Sequence, residues 1–413
     1  MNILLIHQYF LEEGDFGGSR FNEMTKVWLD QGHTVTVIAG MIHANGTEKA
    51  DEYKGKYIVR KKQGGIDVLR CHVSEGYNKN FMGRFFGYLS FMISCSIAGL
   101  FKTKGKFDLV LVTSPPLFVG LSGILVSKLR RIPLVFEVRD LWPESAIDSG
   151  VLQNKVLIKM ALIAEKVIYK NAKLINVLTP AFKKKLIETK NIPEDKIIYI
   201  PNGCDFTLSE KILESSSKAQ LRKELGWEGK KIFTYVGAHG LANHLIQVLD
   251  AMANVKRDDI VFNLIGDGME KPRLKKIAEE RGINNVHFYD PVAKEDIFKY
   301  IIASDYGASV LKKVDTFKTI YSNKTFDYMS CKTPVFLLID GISRELIETA
   351  DCGVYAEPEN IEEITATIER LADMSEDELS QMGRNGYEYA ISKFDREQLA
   401  LDYVDLISVV KKE

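Results

Sequence analysis

The chain has 413 residues, more than one hydrophobic core usually serves, and this length predicts two domains of about 200 residues each. Its 55 basic and 56 acidic residues give a formal charge of -1, so no global field would steer the protein toward nucleic acid. The five cysteines include no Cys-x-x-Cys pair, which argues against a zinc site and is typical of buried thiols in a reducing compartment.

Short runs of valine, isoleucine and leucine alternate with longer helical patterns, which is typical of parallel sheets covered on both faces. The first run follows Met1 directly, without a basic region or cleavage site, so we expect no signal peptide and a cytoplasmic protein. The first half predicts a helix over 19–30 and strands over 2–7, 34–38, 66–69, 108–113, 134–137, 174–178 and 197–200.

A domain boundary is predicted where turn-forming residues at 201–205 are followed by a polar stretch at 215–218. The first domain then covers 1–205 and the second covers 219–392. We expect the helical segment 393–413 to pack back on the first domain. The fold class is α/β, with two Rossmann-like parallel-sheet domains. In the second domain, strands are predicted over 231–236, 260–265, 286–289, 306–310, 334–338 and 353–355.

Ligands of open parallel sheets bind beyond the carboxyl ends of the strands, so the residues after each strand are candidate site residues. The strand at 134–137 is followed by Arg139, Asp140, Trp142 and Glu144, a polar cluster that indicates a cleft. A surface ion pair between Arg139 and Asp140, with Trp142 in the core, is the alternative interpretation.

Glycines at helix starts are candidates for phosphate contact, because bare backbone N–H groups can approach an anion closely there. Gly17 and Gly18 stand at the first such start, where a glycine turn with an N-cap serine explains them equally well. Gly266 and Gly268 follow the strand at 260–265, where a plain tight turn is the alternative.

The loop after the strand at 231–236 contains Gly237, His239 and Asn243, which are placed to meet a diphosphate. His239 would donate a hydrogen bond to it. Capping of a helix by His239 and Asn243 is the alternative.

The most informative segment, 321–329, precedes the strand at 334–338 and predicts a helix that begins at Ser322 or Asn323. Its free N–H groups, together with Lys324 and Thr325, suit phosphates, and Asp327 one turn later suits ribose hydroxyls. An ordinary capped helix with a solvated lysine and aspartate is the alternative.

The chain contains no Asp-x-Asp pair, so the usual carboxylate clamp for a phosphate-bound divalent ion is missing. We therefore expect helix ends, Lys324, His239 and Arg139 to meet the phosphate charge without a metal ion. Neither a G-x-x-x-x-G-K-[ST] loop nor a G-x-G-x-x-G fingerprint is present, which disfavours an NTPase and a nicotinamide-dependent oxidoreductase.

The apolar segment 85–101 is bracketed by Lys79 and Arg84 before it and by Lys102, Lys104 and Lys106 after it. It is at the short limit for spanning a bilayer, and it predicts a helix that lies in a membrane interface, with contact through about 79–106. A core helix of the first domain with solvated ends is the alternative, and the two interpretations are compatible if one face packs inward.

Taken together and in this order, these motifs resemble the family 4 glycosyltransferases of bacterial surface-polysaccharide pathways and, within them, the L-fucosamine transferases of the WbuB type. The likeness is carried by Gly17-Gly18 and by the segments 139–143, 239–243 and 323–328. The resemblance implies a GT-B fold whose two domains face each other across a cleft. It also implies retention of anomeric configuration, with the leaving diphosphate assisting the incoming hydroxyl.

The family's E-x7-E motif falls on Thr319 and Asp327. The resemblance assigns Asp327 to the donor ribose and Thr319 to the donor sugar, although threonine supplies no carboxylate. The family's cleft histidine falls on Arg139, a cation that would stabilise the departing diphosphate. Arg139, Asp140 and Lys324 are the expected catalytic residues, with Asp140 as a base or for acceptor orientation. The expected donor-binding set is Gly17, Gly18, Gly237, His239, Asn243, Gly266, Gly268, Val292, Asn323, Lys324, Thr325 and Asp327.

These inferences predict a retaining, metal-independent hexosyltransferase without a cofactor. It would move a sugar from a UDP-linked donor, bound by the second domain, to a lipid-linked or growing polysaccharide acceptor, bound by the first. We expect it at the cytoplasmic face of the inner membrane. A nucleotide-sugar epimerase of similar fold and a non-catalytic nucleotide-binding subunit remain as alternatives.

Overall fold

The protein's structure, a computed structural model, describes residues 1–12, 20–42, 48–76, 81–148 and 150–410, with the side chains at 81, 294 and 295 left out. The chain forms two compact units. Unit 1 comprises Met1–Pro201 and Glu397–Glu413, and unit 2 comprises Asn202–Arg396.

Unit 1 is built around an eight-stranded sheet in the order β3-β4-β2-β1-β5-β6-β7-β8, in which every neighbouring pair except β3 and β4 is parallel. Its elements in chain order are β1 (Asn2–Ile6), α1 (Arg20–Asp30), β2 (Thr34–Gly40), β3 (Ile58–Gln63), β4 (Ile66–Cys71), α2 (Phe81–Ile97), β5 (Leu109–Ser114), α3 (Val119–Arg130), β6 (Leu134–Val138), α4 (Glu144–Asp148), α5 (Lys155–Asn171), β7 (Leu174–Val177), α6 (Pro180–Lys190) and β8 (Ile197–Tyr199).

Strand β3 was not among the predicted strands. It forms a hairpin with β4, in which Gln63 lies opposite Ile66 and the turn residues Gly64 and Gly65 have φ values of 54° and 84°. Two glycines with positive φ form the turn whose twist suits a two-residue hairpin. The strand is charged and lies at the sheet edge, where it lacks the continuous apolar run of a buried strand. The expected all-parallel sheet therefore carries one antiparallel edge strand.

Unit 2 has a six-stranded parallel sheet in the order β11-β10-β9-β12-β13-β14. Successive strand residues point to opposite faces, so Ile232 and Phe233 enter separate hydrophobic clusters. The remaining elements of the chain are α7 (Phe206–Ser215), α8 (Lys218–Leu225), β9 (Lys231–Val236), α9 (Ile246–Met252), β10 (Ile260–Ile265), α10 (Lys271–Glu280), β11 (Val286–Tyr289), α11 (Lys294–Ala303), β12 (Tyr306–Val310), α12 (Asn323–Ser330), β13 (Val335–Leu338), α13 (Ile342–Thr349), β14 (Gly353–Tyr355), α14 (Ile361–Ala372), α15 (Glu376–Lys393) and α16 (Arg396–Ser408).

Two segments outside the sheets bear on the domain limits. The units divide between Pro201 and Asn202. The polar stretch 215–218, which was expected at the boundary, lies at the end of α7 inside unit 2, and Asp205 caps the start of that helix. Helix α16 packs in the core of unit 1, where the indole N–H of Trp28 donates to the carbonyl of Ala400 (2.7 Å) and Tyr403 is fully buried.

Candidate active site

Two glycine-containing loops follow the neighbouring strands β9 and β10 and pack backbone against backbone. The N–H of Gly237 donates to the carbonyl of Ile265 (2.9 Å), and that of His239 donates to Asp267 (2.8 Å). A Cβ at Gly268 would lie 2.5 Å from the His239 carbonyl oxygen, and one at Gly266 would collide with the Gly237 carbonyl. Glycine is required at both positions by this packing, which brings the two predicted loops together at the carboxyl end of the sheet.

His239 is fully buried between these loops. Among the described residues neither of its ring nitrogens has a hydrogen-bond partner. Burial lowers the pKa of His239 to about 4, and nearby Lys271 adds to the shift, so the ring is neutral at physiological pH. Leaving a buried polar group unpaired costs about 1–3 kcal/mol, and a bound anion would relieve part of that cost.

Lys271, which the sequence patterns did not single out, holds the loop after β10. Its ammonium group donates to the carbonyl oxygens of Gly266 and Tyr289, both at 2.8 Å, and pairs with Asp290 at 2.9 Å. These three bonds use the three donors of a lysine, so we assign Lys271 to loop support. The signal in the sequence was its position just after a glycine-rich turn.

Lys324 lies in the first turn of α12, and its side chain crosses Gly237. A Cβ at Gly237 would lie 2.6 Å from the lysine Cε. The Nζ atom is 4.9 Å from the centre of the Tyr235 ring, and within the described ranges it makes no ion pair. Burial lowers the pKa of Lys324 to about 8, against the opposing effect of Asp327. A half-buried cation at a helix N-terminus is a suitable partner for a phosphate.

Helix α12 is fixed to the sheet by Tyr328 and Thr325. The Tyr328 hydroxyl donates to the carbonyl of Ala308 (2.9 Å) and accepts from the N–H of Val236 (3.2 Å). The hydroxyls of Thr325 and Ser309 lie 3.0 Å apart. These bonds hold the helix start beside the ends of β9 and β12.

The other predicted donor residues of unit 2 lie in α12 and in the loops that follow β9, β11 and β12. Asn323, at the start of α12, accepts from the side chain of Asn202 (2.6 Å), and Asp327 is half-buried one turn later. Asn243 ends a short 3-10 turn in the loop after β9. The Thr319 hydroxyl donates to the carbonyl of Thr316 (2.6 Å), and Val292 packs against the core below β11. Gly17 and Gly18 lie outside the described residues.

In unit 1, His7 and Arg139 meet at the carboxyl ends of β1 and β6, with His7 Nε2 3.4 Å from Arg139 Nη1. Burial, then Arg139 and Arg70, hold the pKa of His7 well below its ordinary value. In the part of the chain that is described, His7 Nδ1, Arg139 Nε and both amide atoms of the buried Gln8 lack partners. Arg139 was predicted as a site residue, whereas His7 and Gln8 were not, although they directly follow the first strand.

A buried carboxylate network lies beside Arg139. Glu137 accepts from Arg20 Nε (3.2 Å), the Thr113 hydroxyl (3.2 Å) and the Asn176 amide (2.9 Å). Arg20 also donates to the carbonyl oxygens of Ile200 and Pro201. Because these residues come from α1 and three adjacent strands, the network gives the end of the sheet a fixed shape. No pattern in the sequence indicates that Glu137 and Arg20 pair.

Asp140 accepts from the Ser145 hydroxyl (2.7 Å), and burial raises its pKa. Within the described residues Asp140 and Arg139 form no ion pair, so the surface-pair alternative is wrong. Glu144 forms an ion pair with Lys190. Trp142 is half-buried and packs edge-on against Phe118, with ring centres 5.7 Å apart.

Two features of the described chain bear on metal binding and membrane contact. There, no cluster of three or more His, Cys, Asp or Glu side chains is arranged to hold a metal ion. One helical stretch, Met82–Lys102, is long and apolar enough to cross a membrane, a test that core helices also pass, and a third of its most apolar window is buried. Phe91 is fully buried, whereas Phe86 is 55% and Ile93 53% exposed, so the helix has one packed face and one apolar exposed face.

Comparison with known proteins gives a consistent result. Residues 17–203 match the model of a glycosyl transferase 4-like domain, and residues 217–389 match that of glycosyl transferases group 1. WcaI of Escherichia coli K12, assigned to glycosyl transfer in colanic acid biosynthesis, is 22% identical over 94% of this chain and 95% of its own.

Two solved structures are similar over nearly their full lengths. Sucrose-phosphate synthase from Thermosynechococcus elongatus has a TM-score of 0.74 at 17% identity, covering 99% of this chain and 98% of its own. HepE from Anabaena in complex with UDP has a TM-score of 0.72 at 17% identity, covering 99% and 100%.

Proposed function

The chain is a glycosyltransferase of GT-B fold, with a glycosyl transferase 4-like domain followed by a glycosyl transferases group 1 domain, and we propose that it moves a hexosyl residue from a UDP-sugar to a surface-polysaccharide acceptor. We place it in family 4, with an amino-deoxy sugar of the L-fucosamine type as the first donor to examine. The similarity to WcaI supports a polysaccharide acceptor, and the UDP complex of HepE supports a UDP-linked donor.

The observation that carries the proposal is the contact of Lys324 with Gly237. It places a partly desolvated cation, a helix start and the neutral His239 at the carboxyl ends of β9 and β10. A diphosphate carries the charge and acceptor oxygens that these groups need. Asp327, one turn into α12, would accept hydrogen bonds from the ribose hydroxyls.

We propose a retaining, metal-independent reaction. The bond from the anomeric carbon to the diphosphate oxygen breaks while the acceptor oxygen bonds to the same face, and the acceptor proton passes to the departing phosphate. The absence of an Asp-x-Asp clamp from the sequence and the cations Lys324 and Arg139 support this proposal. Asp140, whose pKa is raised by burial, is the candidate for orienting the acceptor hydroxyl.

The acceptor is proposed to be lipid-linked or a growing saccharide at the cytoplasmic face of the inner membrane. The apolar exposed face of α2 supports peripheral contact through about 79–106, with Lys102, Lys104 and Lys106 on anionic headgroups.

The test is a panel of UDP-, GDP- and dTDP-sugars screened for thermal stabilisation, because a ligand that binds only the folded state raises its stability. We expect UDP-linked sugars to stabilise the protein most. Equal stabilisation by all three nucleotides would contradict a UDP-linked donor. A new sugar isomer from a UDP-sugar alone would favour the epimerase, whereas binding without transfer to any acceptor would favour a non-catalytic subunit.

A further inference from the structure

A pocket with a cavity volume of about 80 Å³, partly open to solvent, lies in unit 1 between α2, the start of α3, α4 and the segment that leads into α5. The aromatic wall of this cavity is preformed. The Phe118 ring packs edge-on against both Phe85 (5.9 Å between centres) and Trp142 (5.7 Å). Its lining residues are Arg84, Phe85, Tyr88, Phe118, Trp142, Ala146, Val151, Leu152 and Leu157.

The side chains that line the cavity are mostly apolar. Among the described lining residues Arg84 is the one charged side chain, and it is exposed. An apolar cavity with a cation at its edge fits a molecule that has a hydrocarbon part and an anionic part.

The helix faces around the cavity are apolar as well. On α2, Met82, Phe86 and Ile93 recur at helical spacing and are each about half exposed. On α5, an exposed stripe of Val156, Met160, Ile163 and Val167 runs beside an exposed stripe of Lys155, Lys159, Lys166 and Lys170. A row of like charges would repel the same row on a second copy, whereas it complements anionic lipid headgroups.

The cavity adjoins the loop 139–142, which carries Arg139 and the candidate acceptor-orienting residue Asp140. Trp142 forms part of its wall, and the N–H of Trp142 donates to the carbonyl of Asp140 (2.9 Å). A chain held against Trp142 would therefore place its headgroup beside the loop that carries Arg139 and Asp140.

We propose that this cavity binds the hydrocarbon chain of the lipid-linked acceptor, with the acceptor's phosphate beside Arg84. The inference rests on the proposed function, since it names the acceptor's chain as the occupant. The lysine stripe of α5 then contacts the headgroups of the surrounding membrane, and one hydrocarbon chain leaves the bilayer and binds in the cavity.

The test uses farnesyl phosphate that carries a photoreactive diazirine on its chain, with the full-length protein. Val151→Trp fills the mouth of the cavity, and Leu157→Trp fills it from α5. Val167→Trp is the matched control, because Val167 is exposed on α5 and does not line the cavity. Arg84→Gln tests the phosphate contact, with farnesol as the uncharged probe.

We expect the label on peptides that contain 84–88 and 142–157. Both filling variants should lose about tenfold in affinity for farnesyl phosphate, the loss expected when about two methylene groups leave the cavity, while Val167→Trp stays within about twofold. Arg84→Gln should weaken binding of farnesyl phosphate and leave binding of farnesol unchanged.

Equal affinities of Val151→Trp, Leu157→Trp and Val167→Trp, or label spread over the outer faces of α2 and α5, would overturn the proposal. Calorimetry with UDP on the same proteins separates the two claims. UDP binding without cavity binding would refute the cavity alone, and cavity binding without UDP binding would refute the proposed donor.

Discussion

The side chain of Lys324 crosses Gly237 so closely that a Cβ at position 237 would lie 2.6 Å from the lysine Cε. Glycine at the end of β9 is thus what lets a cation from the start of α12 lie over the sheet. The two residues are 87 positions apart in the chain, and their contact joins two of the predicted segments.

Gly237→Ala should displace Lys324 and weaken UDP binding by about tenfold, because overpacking typically costs about 1–3 kcal/mol. Calorimetry with UDP measures the loss. Gly240→Ala is the control in the same loop, since among the described residues a Cβ there meets only Asn243, at 3.6 Å. If displacement of Lys324 causes the loss, adding Gly237→Ala to Lys324→Ala should weaken UDP binding little further. Fully additive losses in the double variant would contradict this cause.

UDP binding should weaken as the pH rises from about 7 to about 9.5. Burial lowers the pKa of Lys324 to about 8, so the free protein loses this positive charge as the pH passes that value, whereas a bound diphosphate favours the charged form. Binding near pH 8.5 should therefore take up a proton, seen as heats that depend on the buffer. His239, with a pKa of about 4, stays neutral throughout. Lys324→Gln should abolish the proton uptake, and unchanged uptake would exclude Lys324 as its source.

Asp327→Ala should weaken UDP binding by about tenfold to hundredfold with the fold intact, the range for hydrogen bonds to a charged group. If the 2′-hydroxyl is the partner of Asp327, Asp327→Ala and the unchanged protein should bind 2′-deoxy-UDP with equal affinity. The same comparison with 3′-deoxy-UDP tests the 3′-hydroxyl. Asp315→Ala, at an exposed surface ion pair with Lys318, is the control. Unchanged UDP affinity of Asp327→Ala would refute the ribose role.

Glu137→Gln should destabilise the protein by about 3–5 kcal/mol, because it leaves Arg20 buried without its carboxylate. Thermal and denaturant unfolding measure the change. Glu348→Gln, which removes an exposed pair with Arg344, should cost less than about 1 kcal/mol. Similar losses in the two variants would show that the Glu137 network does not stabilise the fold.

Replacement of Lys102, Lys104 and Lys106 by glutamine should reduce binding to anionic vesicles by about a hundredfold, at about 1 kcal/mol for each lysine. Co-sedimentation with phosphatidylglycerol vesicles measures it. The same replacement of Lys223, Lys230 and Lys276, which are exposed in unit 2, removes equal charge and should have a smaller effect. Equal effects of the two triple replacements would show that vesicle binding depends on net charge and not on the position of the lysines.

The sequence was most informative where strands are buried on both faces. The predicted strands 231–236, 260–265 and 306–310 are confirmed with the same bounds, because largely apolar runs bounded by turn residues mark them clearly. The edge strand 286–289 is also confirmed with its predicted bounds, although His287 is exposed. Strand β3 was missed because it is a charged edge strand, although the Gly64-Gly65 pair was a hairpin signal.

Site residues could be predicted from their positions after strands, but their partners could not. Lys324 and His239 were found in this way, whereas the crossing of Lys324 over Gly237 depends on how α12 packs on the sheet. His7 and Lys271 look like ordinary polar residues in the sequence. In the described part of the chain, the buried His7 Nδ1 has no hydrogen-bond partner, whereas the Lys271 ammonium group has three. The segment 85–101 was read as both core and interface, and the structure shows a buried Phe91 beside an exposed Ile93.

Sugar transfer from a UDP-linked donor held at Lys324 can be measured directly. The direct measurement incubates the protein with radiolabelled UDP-sugars and bacterial membrane lipids and counts the label that enters the organic phase. We predict label from at least one UDP-sugar and its loss in Lys324→Ala. Tight UDP binding with no labelled lipid or saccharide from any donor would contradict the claim.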